Sequence, residues 1–257
     1  MNYNSLLGSK LAKYFNKKYG IITYSGTLAI EVALKSLKLK RKSKVLISSN
    51  VCYSIINTVL KLGLVPVIKT PNNGLFFTND DIDVVIDKEI IDCILLVHQF
   101  GILNNISKRK YKKLNIKIIE DVAQAWDLKD NNGINNIGID SDIVVTSFGI
   151  TKPISYGIGG GLFFDNEKIF KEIDFCDNES REKQGIILSY AYPLCKEIKL
   201  DYLLEKANEI VDEQRLCARE YSNVLLNQKT IKYINYEQNS GNVWHRFPMW
   251  IENQKTF

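Results

Sequence analysis

The chain has 257 residues, of which 45% are hydrophobic and 25% are charged, and its formal net charge is +5. This composition belongs to a soluble globular protein with one large domain, or with one domain and a small appendage. The Lys and Arg residues are scattered, and the densest run, residues 38–44, separates a helix-like from a strand-like segment. We interpret that run as a solvated turn, so nucleic-acid binding is not predicted.

The cysteines and the apolar runs of the sequence indicate the cellular compartment of the protein. The five cysteines form no CxxC pair, and Cys93 lies within an apolar, strand-like run. An odd number of thiols in this arrangement predicts a reduced, cytoplasmic protein. With only two histidines, a metal site is not expected. The first residues lack the apolar core of a signal peptide, and no apolar run reaches membrane-spanning length, so no membrane partner is predicted.

Short apolar strands alternate with amphipathic helices along the first 165 residues. Helices are predicted at residues 6–19, 27–39 and 50–62. Strands are predicted at residues 21–24, 44–49, 65–68, 83–86, 93–98, 116–120, 143–147 and 161–164. Several strands are apolar throughout, as expected when helices cover both faces of a sheet. The alternation therefore predicts an α/β fold with a mostly parallel sheet.

The pattern changes after residue 165. Residues 200–226 are charged and helical, a polar stretch follows, and residues 244–251 read as a strand. We place a domain boundary near residue 176. The prediction is a large domain at residues 1–175, followed at residues 176–257 by a helical segment and a small, incomplete α/β domain.

Polar residues follow several predicted strands directly, at the edge where ligands bind in open α/β sheets. The run Ser25-Gly26-Thr27 opens a helix, whose N–H groups suit a phosphate, although simple capping explains it equally well. Asp121 ends an apolar strand, where a carboxylate is costly unless it is paired or caps a helix. Lys152 precedes a glycine cluster that would let a planar cofactor approach, although a loop lysine is usually a solvated charge.

Two histidine positions are of lesser interest. His98 ends a buried strand, and we interpret it as a satisfied structural histidine, with a place near a ligand as the alternative. His245 lies in a strand-like segment near the end of the chain, and we give it no catalytic role.

Together, and in this order, the segments resemble the DegT/DnrJ/EryC1/StrS family of sugar aminotransferases, which are pyridoxal-phosphate (PLP) enzymes of fold type I with a seven-stranded sheet. The combination of EDxAQA, SFxxTK and GxGG is highly specific. The resemblance is continuous from about residue 7 to residue 165, and fainter at residues 213–221 and 243–248. The matching segments are SGTLAIEVAL, LGLVPV, VHQFG, IIEDVAQA, DIVVTSFGITK and GIGGGLFF.

The resemblance implies a role for each matching residue. Lys152 would bind PLP covalently and move the proton during transfer. Asp121 would pair with the protonated pyridine nitrogen, which makes the ring an electron sink. Gln124 would bond the phenolic oxygen of the cofactor. Three further positions would hold the phosphate: Gly26, Thr27 and Ser147.

The resemblance also implies substrates and an assembly. The amino donor would be glutamate, the acceptor a nucleotide-linked keto sugar, and the protein a homodimer. Related enzymes that dehydrate a sugar carbon have the lysine replaced, commonly by His, so Lys152 argues against that reaction.

The chain departs from the family pattern in three places. Cys52 stands at the position of the aromatic residue that stacks on the cofactor ring, and the neighbouring Tyr53 could substitute only if the backbone shifts. Pro153 follows Lys152, where the family often has Asn. The chain is also shorter than family members at both ends. A catalytically silent homologue that binds or regulates a partner is therefore the alternative hypothesis.

Overall fold

The computed structural model describes residues 3–130, 132–174, 200–228 and 231–251. The helices in these ranges are α1 (Tyr3–Ala12), α2 (Gly26–Ser36), α3 (Tyr53–Lys61), α4 (Asn79–Ile86), α5 (Lys108–Lys113), α6 (Glu167–Asp174) and α7 (Leu200–Leu225), with 3-10 turns at Lys13–Phe15 and Gln99–Gly101. The strands are β1 (Tyr19–Thr23), β2 (Lys44–Ser48), β3 (Val65–Lys69), β4 (Cys93–Val97), β5 (Lys117–Asp121), β6 (Ile143–Ser147), β7 (Gly160–Phe164), β8 (Ile231–Tyr233) and β9 (Met249–Ile251).

The first seven strands form one sheet, in the order β1-β7-β6-β5-β4-β2-β3. Strand β7 runs antiparallel to both β1 and β6, and the other neighbouring strands are parallel. Helices α2, α3 and α6 bury apolar side chains on one face, while α1, α4, α5 and α7 cover the other. The predicted α/β fold, with a mostly parallel seven-stranded sheet covered on both faces, is confirmed.

The strand predicted at residues 83–86 is wrong, because these residues form the last turn of α4. Thr78 caps this helix: its hydroxyl accepts a hydrogen bond from the Asp81 N–H, and the Asp81 carboxylate accepts one from the Thr78 N–H. Such a reciprocal pair satisfies two backbone donors and favours a helix. Ile82 and Val85, three residues apart, then face the core together.

Two other predicted elements are shorter than expected. The helix predicted at residues 6–19 ends at Ala12, because a 3-10 turn and a left-handed Asn16 (φ +52°) redirect the chain, and Tyr19 begins β1 instead. In the strand predicted at residues 244–251, only Met249–Ile251 is extended, and it pairs with β8. Trp244 has a φ of +58°, which is incompatible with a strand.

Helix α7 attaches the last described segment to the large sheet. Its Arg215 guanidinium donates to the backbone oxygens of Asp127 (2.9 Å) and Asn242 (3.1 Å). Trp126 Nε1 donates to Asn208 on the same helix (3.1 Å). The predicted domain boundary near residue 176 lies outside the described residues, so the division into two domains stays a prediction. None of the described helices combines the length and the apolar character needed to cross a bilayer.

Candidate active site

A cavity of about 250 Å³ opens where the carboxyl ends of β4, β5 and β6 meet the first turns of α2 and α3. This is the edge at which parallel α/β sheets bind ligands. Its lining residues are Ser25, Gly26, Thr27, Ile30, Cys52, Ser54, Ile55, Val97, His98, Gln99, Asp121, Ala123, Gln124, Ser147 and Lys152.

The first turn of α2 forms one end of the cavity. Ser25 caps the helix, since its Oγ accepts a hydrogen bond from the Leu28 N–H (3.2 Å). A Cβ at Gly26 would lie 2.7 Å from Ser147 Cβ, so only glycine permits this approach of α2 to the end of β6. Helix geometry leaves the N–H groups of Gly26 and Thr27 without intrahelical acceptors. This end of the cavity therefore suits an anionic group such as a phosphate.

Asp121 ends β5 with only 7% of its surface exposed. One carboxylate oxygen accepts a hydrogen bond from the Ala123 N–H (2.9 Å), and no described cation lies within salt-bridge distance. Burial raises the pKa of this carboxyl above its ordinary value, although the Ala123 hydrogen bond and the charge of Lys152 oppose the rise. A buried carboxylate without a counter-ion suits a ligand that brings a positive charge.

Lys152 lies in the turn that follows β6, where its N–H donates to the Gly149 oxygen (2.9 Å). Its half-buried side chain lines the cavity, and its Nζ forms no hydrogen bond or salt bridge with any described residue. The charge of this amine opposes the high pKa of Asp121 and helps to lower the pKa of Cys52. Among the described residues, Lys152 therefore offers an amine without a partner in the same cavity as the buried carboxylate.

The orientation of the Gln124 amide is set by the turn that follows β4. Its Oε1 accepts a hydrogen bond from the Phe100 N–H (2.9 Å). The amide nitrogen lies 3.5 Å from the Gln99 side-chain oxygen. Because the oxygen is committed, the NH₂ group remains to donate to a ligand oxygen in the cavity.

His98 lines the cavity, but both of its ring nitrogens are already engaged. Nε2 lies 3.1 Å from the Glu120 carboxylate, and Nδ1 accepts a hydrogen bond from the Asn104 N–H (3.1 Å). The residue is 1% exposed. His98 thus has the satisfied structural environment expected from its place at the end of a buried strand, and it also lies beside the cavity.

The structure distinguishes between the two candidates for the ring-stacking position, because only one of them lines the cavity. Cys52 precedes α3 and lines the cavity, whereas Tyr53 is 71% exposed and is not among the lining residues. Hydrogen bonds from Ser54 lower the pKa of the Cys52 thiol, and the charge of Lys152 adds to the effect. Of the eight residues proposed to bind the cofactor, the structure brings seven together and leaves Tyr53 outside.

Sequence reasoning did not single out Ala123, and it gave His245 no catalytic role. Ala123 lines the cavity, and its place within the EDxAQA motif could have indicated it. His245 has a buried Nδ1 with no hydrogen-bond partner among the described residues. Burial, together with the charges of Lys152 and Arg246, lowers the pKa of His245 to about 4. No sequence pattern signals this, because it depends on how the last segment packs against the site.

The fold is that of the fold-type I PLP-dependent transferases, and solved structures of that class share it. The cavity contains the residue types expected of this class: a lysine, a buried carboxylate and a helix N-terminus that suits a phosphate. The sequence profile of the DegT/DnrJ/EryC1/StrS aminotransferase family matches residues 2–256, and the chain belongs to this family. The resemblance stated from the motifs is thereby confirmed.

Individual relatives are distant. The chain is 25% identical over 260 residues to 3-oxo-glucose-6-phosphate:glutamate aminotransferase of Bacillus subtilis (strain 168), covering 95% of this chain and 56% of the relative. It is 23% identical over 259 residues to GDP-perosamine synthase of Escherichia coli O157:H7, covering 96% and 68%. The chain therefore spans between about half and two thirds of the length of these relatives.

Solved structures share the fold over nearly the whole chain. The crystal structure of NtdA from Bacillus subtilis with bound cofactor PMP matches with a TM-score of 0.74 and 24% identity, covering 98% of this chain and 59% of that one. The aminotransferase TlmJ from Streptoalloteichus hindustanus matches with a TM-score of 0.79 and 16% identity, covering 98% and 71%.

Proposed function

We propose that this chain forms the cofactor-binding part of a PLP-dependent sugar aminotransferase. The observation that carries the proposal is one cavity lined by both Lys152 and the buried carboxylate of Asp121, neither of which has an ion-pair partner among the described residues. The first turn of α2, which suits a phosphate, lines the same cavity. Membership of the aminotransferase family supports it.

The donors and acceptors of the cavity fit PLP. When bound, PLP supplies a carbonyl carbon and an electron-accepting pyridinium ring. The N–H groups of Gly26 and Thr27, with the Ser147 hydroxyl, would hold the phosphate. The buried carboxylate of Asp121 would pair with the protonated pyridine nitrogen, and the Gln124 NH₂ group would donate to the phenolic oxygen.

Lys152 would bind the cofactor and then act as the acid and base of the transfer. A neutral amine at this position accepts a proton, and the ammonium returns it to a neighbouring atom in the cavity. His98 does not compete for this role, because its ring nitrogens are engaged by Glu120 and Asn104. Asp121 would be ionised once a cation lies beside it, since an opposite charge offsets the effect of burial on its pKa.

The substrates and the assembly are part of the same proposal. Glutamate would be the amino donor, a nucleotide-linked keto sugar the acceptor, and a cytoplasmic homodimer the working form. The name of one relative includes glutamate and a phosphorylated oxo sugar, and the name of another includes a GDP-linked sugar. A sugar phosphate is therefore the alternative acceptor.

A catalytically silent homologue is the second candidate, and one observation favours it. Cys52 lines the cavity, and the family resemblance implies an aromatic side chain at this place in the sequence. Such a protein would bind or regulate a partner and would not exchange amino groups.

An absorbance experiment separates the two functions. The purified protein mixed with PLP should absorb visible light, and glutamate should change that spectrum. Lys152→Ala should lose both signals, while Lys168→Ala, which removes an exposed lysine outside the cavity, should keep them. A wild-type spectrum that glutamate does not change would favour the silent homologue. A glutamate-dependent change in Lys152→Ala would contradict the role of Lys152.

A further inference from the structure

Behind the cavity, a chain of buried polar contacts runs from Lys108 to His98. Lys108 Nζ lies 2.9 Å from Glu120 Oε1, and Glu120 Oε2 lies 3.1 Å from His98 Nε2. The Gly138 N–H also donates to Glu120 Oε1 (2.9 Å). Burial opposes ionisation of Glu120, but the His98 hydrogen bond and the Lys108 charge outweigh it and lower the pKa of Glu120 to about 2. Glu120 is thus a buried, ionised acceptor.

These contacts fix the tautomer of His98. The Asn104 N–H donates to His98 Nδ1, and because a backbone N–H can only donate, Nδ1 carries no proton. The ring proton therefore lies on Nε2 and is donated to Glu120. The Asn104 side chain donates in turn to the Val97 oxygen (2.8 Å), the last residue of β4. Both ends of the ring are held.

His98 also begins the turn that orients Gln124. Its oxygen accepts a hydrogen bond from the Gly101 N–H (3.1 Å), and within this turn the Phe100 N–H donates to Gln124 Oε1 (2.9 Å). Phe100 has a φ of +60°, a conformation that residues other than glycine rarely adopt. Contacts at both ends hold the turn there: the His98 oxygen accepts from the Gly101 N–H at its start, and the Gly101 oxygen accepts from the Val243 N–H (2.8 Å) at its end.

We propose that Glu120 and Lys108 are positioning residues that act through His98 and the turn Gln99–Gly101 to orient the Gln124 amide toward the phenolic oxygen of the cofactor. This inference rests on the proposed function. Glu120, one position before Asp121 in β5, would thereby influence the affinity for the cofactor and the absorbance of the bound cofactor.

The first test compares Glu120→Gln and Lys108→Met with a matched control. Lys110 lies on the same helix, α5, but pairs with Asp83 at the surface. Lys110→Met therefore removes an equivalent charge and leaves the contacts between Lys108, Glu120 and His98 in place. Glu120→Gln and Lys108→Met should each weaken PLP binding about 3- to 10-fold and shift the absorbance of the bound cofactor. Lys110→Met should do neither, and Lys108→Arg should restore both signals.

A double-mutant cycle with Gln124→Ala then tests whether Glu120 acts on the cofactor through Gln124. If Glu120 acts through Gln124, Glu120→Gln should change PLP affinity less than about twofold in the Gln124→Ala background. An equal effect in both backgrounds would overturn the inference, as would wild-type affinity in both Glu120→Gln and Lys108→Met. If Glu120→Gln does not fold, the same cycle with Lys108→Met decides.

The tautomer itself is measured on cofactor-free protein by ¹⁵N NMR of the His98 ring. A proton on Nε2 is expected, and a proton on Nδ1 would overturn the inference whatever the cofactor does. A wild-type protein that binds no PLP would overturn the proposed function, and this inference with it. PLP binding with independent, additive effects would overturn this inference alone.

Discussion

Replacing Asp121 by Asn tests the balance between stability and cofactor binding at the end of β5. The substitution preserves the size of the side chain and the oxygen that accepts from the Ala123 N–H, but it removes the buried charge. The folded-state pKa of Asp121 is raised above the ordinary value of 3.8, so ionisation costs the folded protein stability as the pH rises through that shifted pKa. At pH 7, cofactor-free Asp121→Asn should therefore be at least as stable as the wild type.

The affinity for PLP should change in the opposite direction. A hydrogen bond to a charged group contributes about 1.5–3 kcal/mol, so losing the carboxylate opposite the pyridine nitrogen should weaken binding roughly 10- to 150-fold. Denaturant unfolding of the cofactor-free protein at pH 7 and pH 4 gives the first quantity, and an absorbance titration with PLP gives the second.

Asp140→Asn is the control, because Asp140 is exposed and lies outside the cavity. A cofactor-free Asp121→Asn protein that is clearly less stable than wild type at pH 7 would show that the carboxylate has a stabilising partner. Unchanged PLP affinity would show that Asp121 does not face the ring.

Gly26→Ala should cost about 1–3 kcal/mol in the free energy of unfolding and weaken PLP binding, because the new Cβ would meet Ser147 at 2.7 Å; wild-type unfolding and affinity would contradict this packing. Cys52→Phe should tighten PLP binding by up to about tenfold, and Tyr53→Ala should leave it unchanged; a titration showing the reverse would place Tyr53 on the ring. The pKa of His245 is lowered from 6.5 to about 4 in the folded protein. As the pH falls, the His245 ring is therefore protonated in the unfolded chain before it is protonated in the folded protein. Stability should thus decline between pH 6.5 and pH 4, and the decline should be smaller in His245→Phe; identical unfolding curves for both proteins across that window would refute it.

The sheet, and the edge of it at which the cavity lies, could be predicted because both depend on local patterns. Apolar runs gave the strands, and polar residues directly after them, such as Asp121 and Ser147, must gather at one edge of a parallel sheet. The strand expected at residues 83–86 failed for a local reason as well. The short apolar run at residues 84–86 fits either structure, and the capping pair of Thr78 and Asp81 decides for the helix.

The remaining features depend on contacts between distant segments. Whether Cys52 or Tyr53 faces the cavity depends on the angle at which α3 leaves its cap, which no residue count reveals. The lowered pKa of His245 requires the last segment to pack beside Lys152. The tautomer of His98 requires the backbone of Asn104 to fold back onto its ring. Such properties follow from tertiary packing, which a single sequence does not display.

The place of β7 between β1 and β6 has a consequence for how the site is made during synthesis. Among the described strands, β1 pairs with β7 alone. A Cβ at Gly160 would lie 2.5 Å from the backbone of Ser25, so the two segments are in direct contact. Until residues 160–164 leave the ribosome, β1 has no partner strand among the described residues, and the helix start at residue 25 lacks its contact with Gly160. Nascent chains that end before β7 should therefore be unable to capture PLP, and cofactor loading becomes a late event that waits for this long-range pairing.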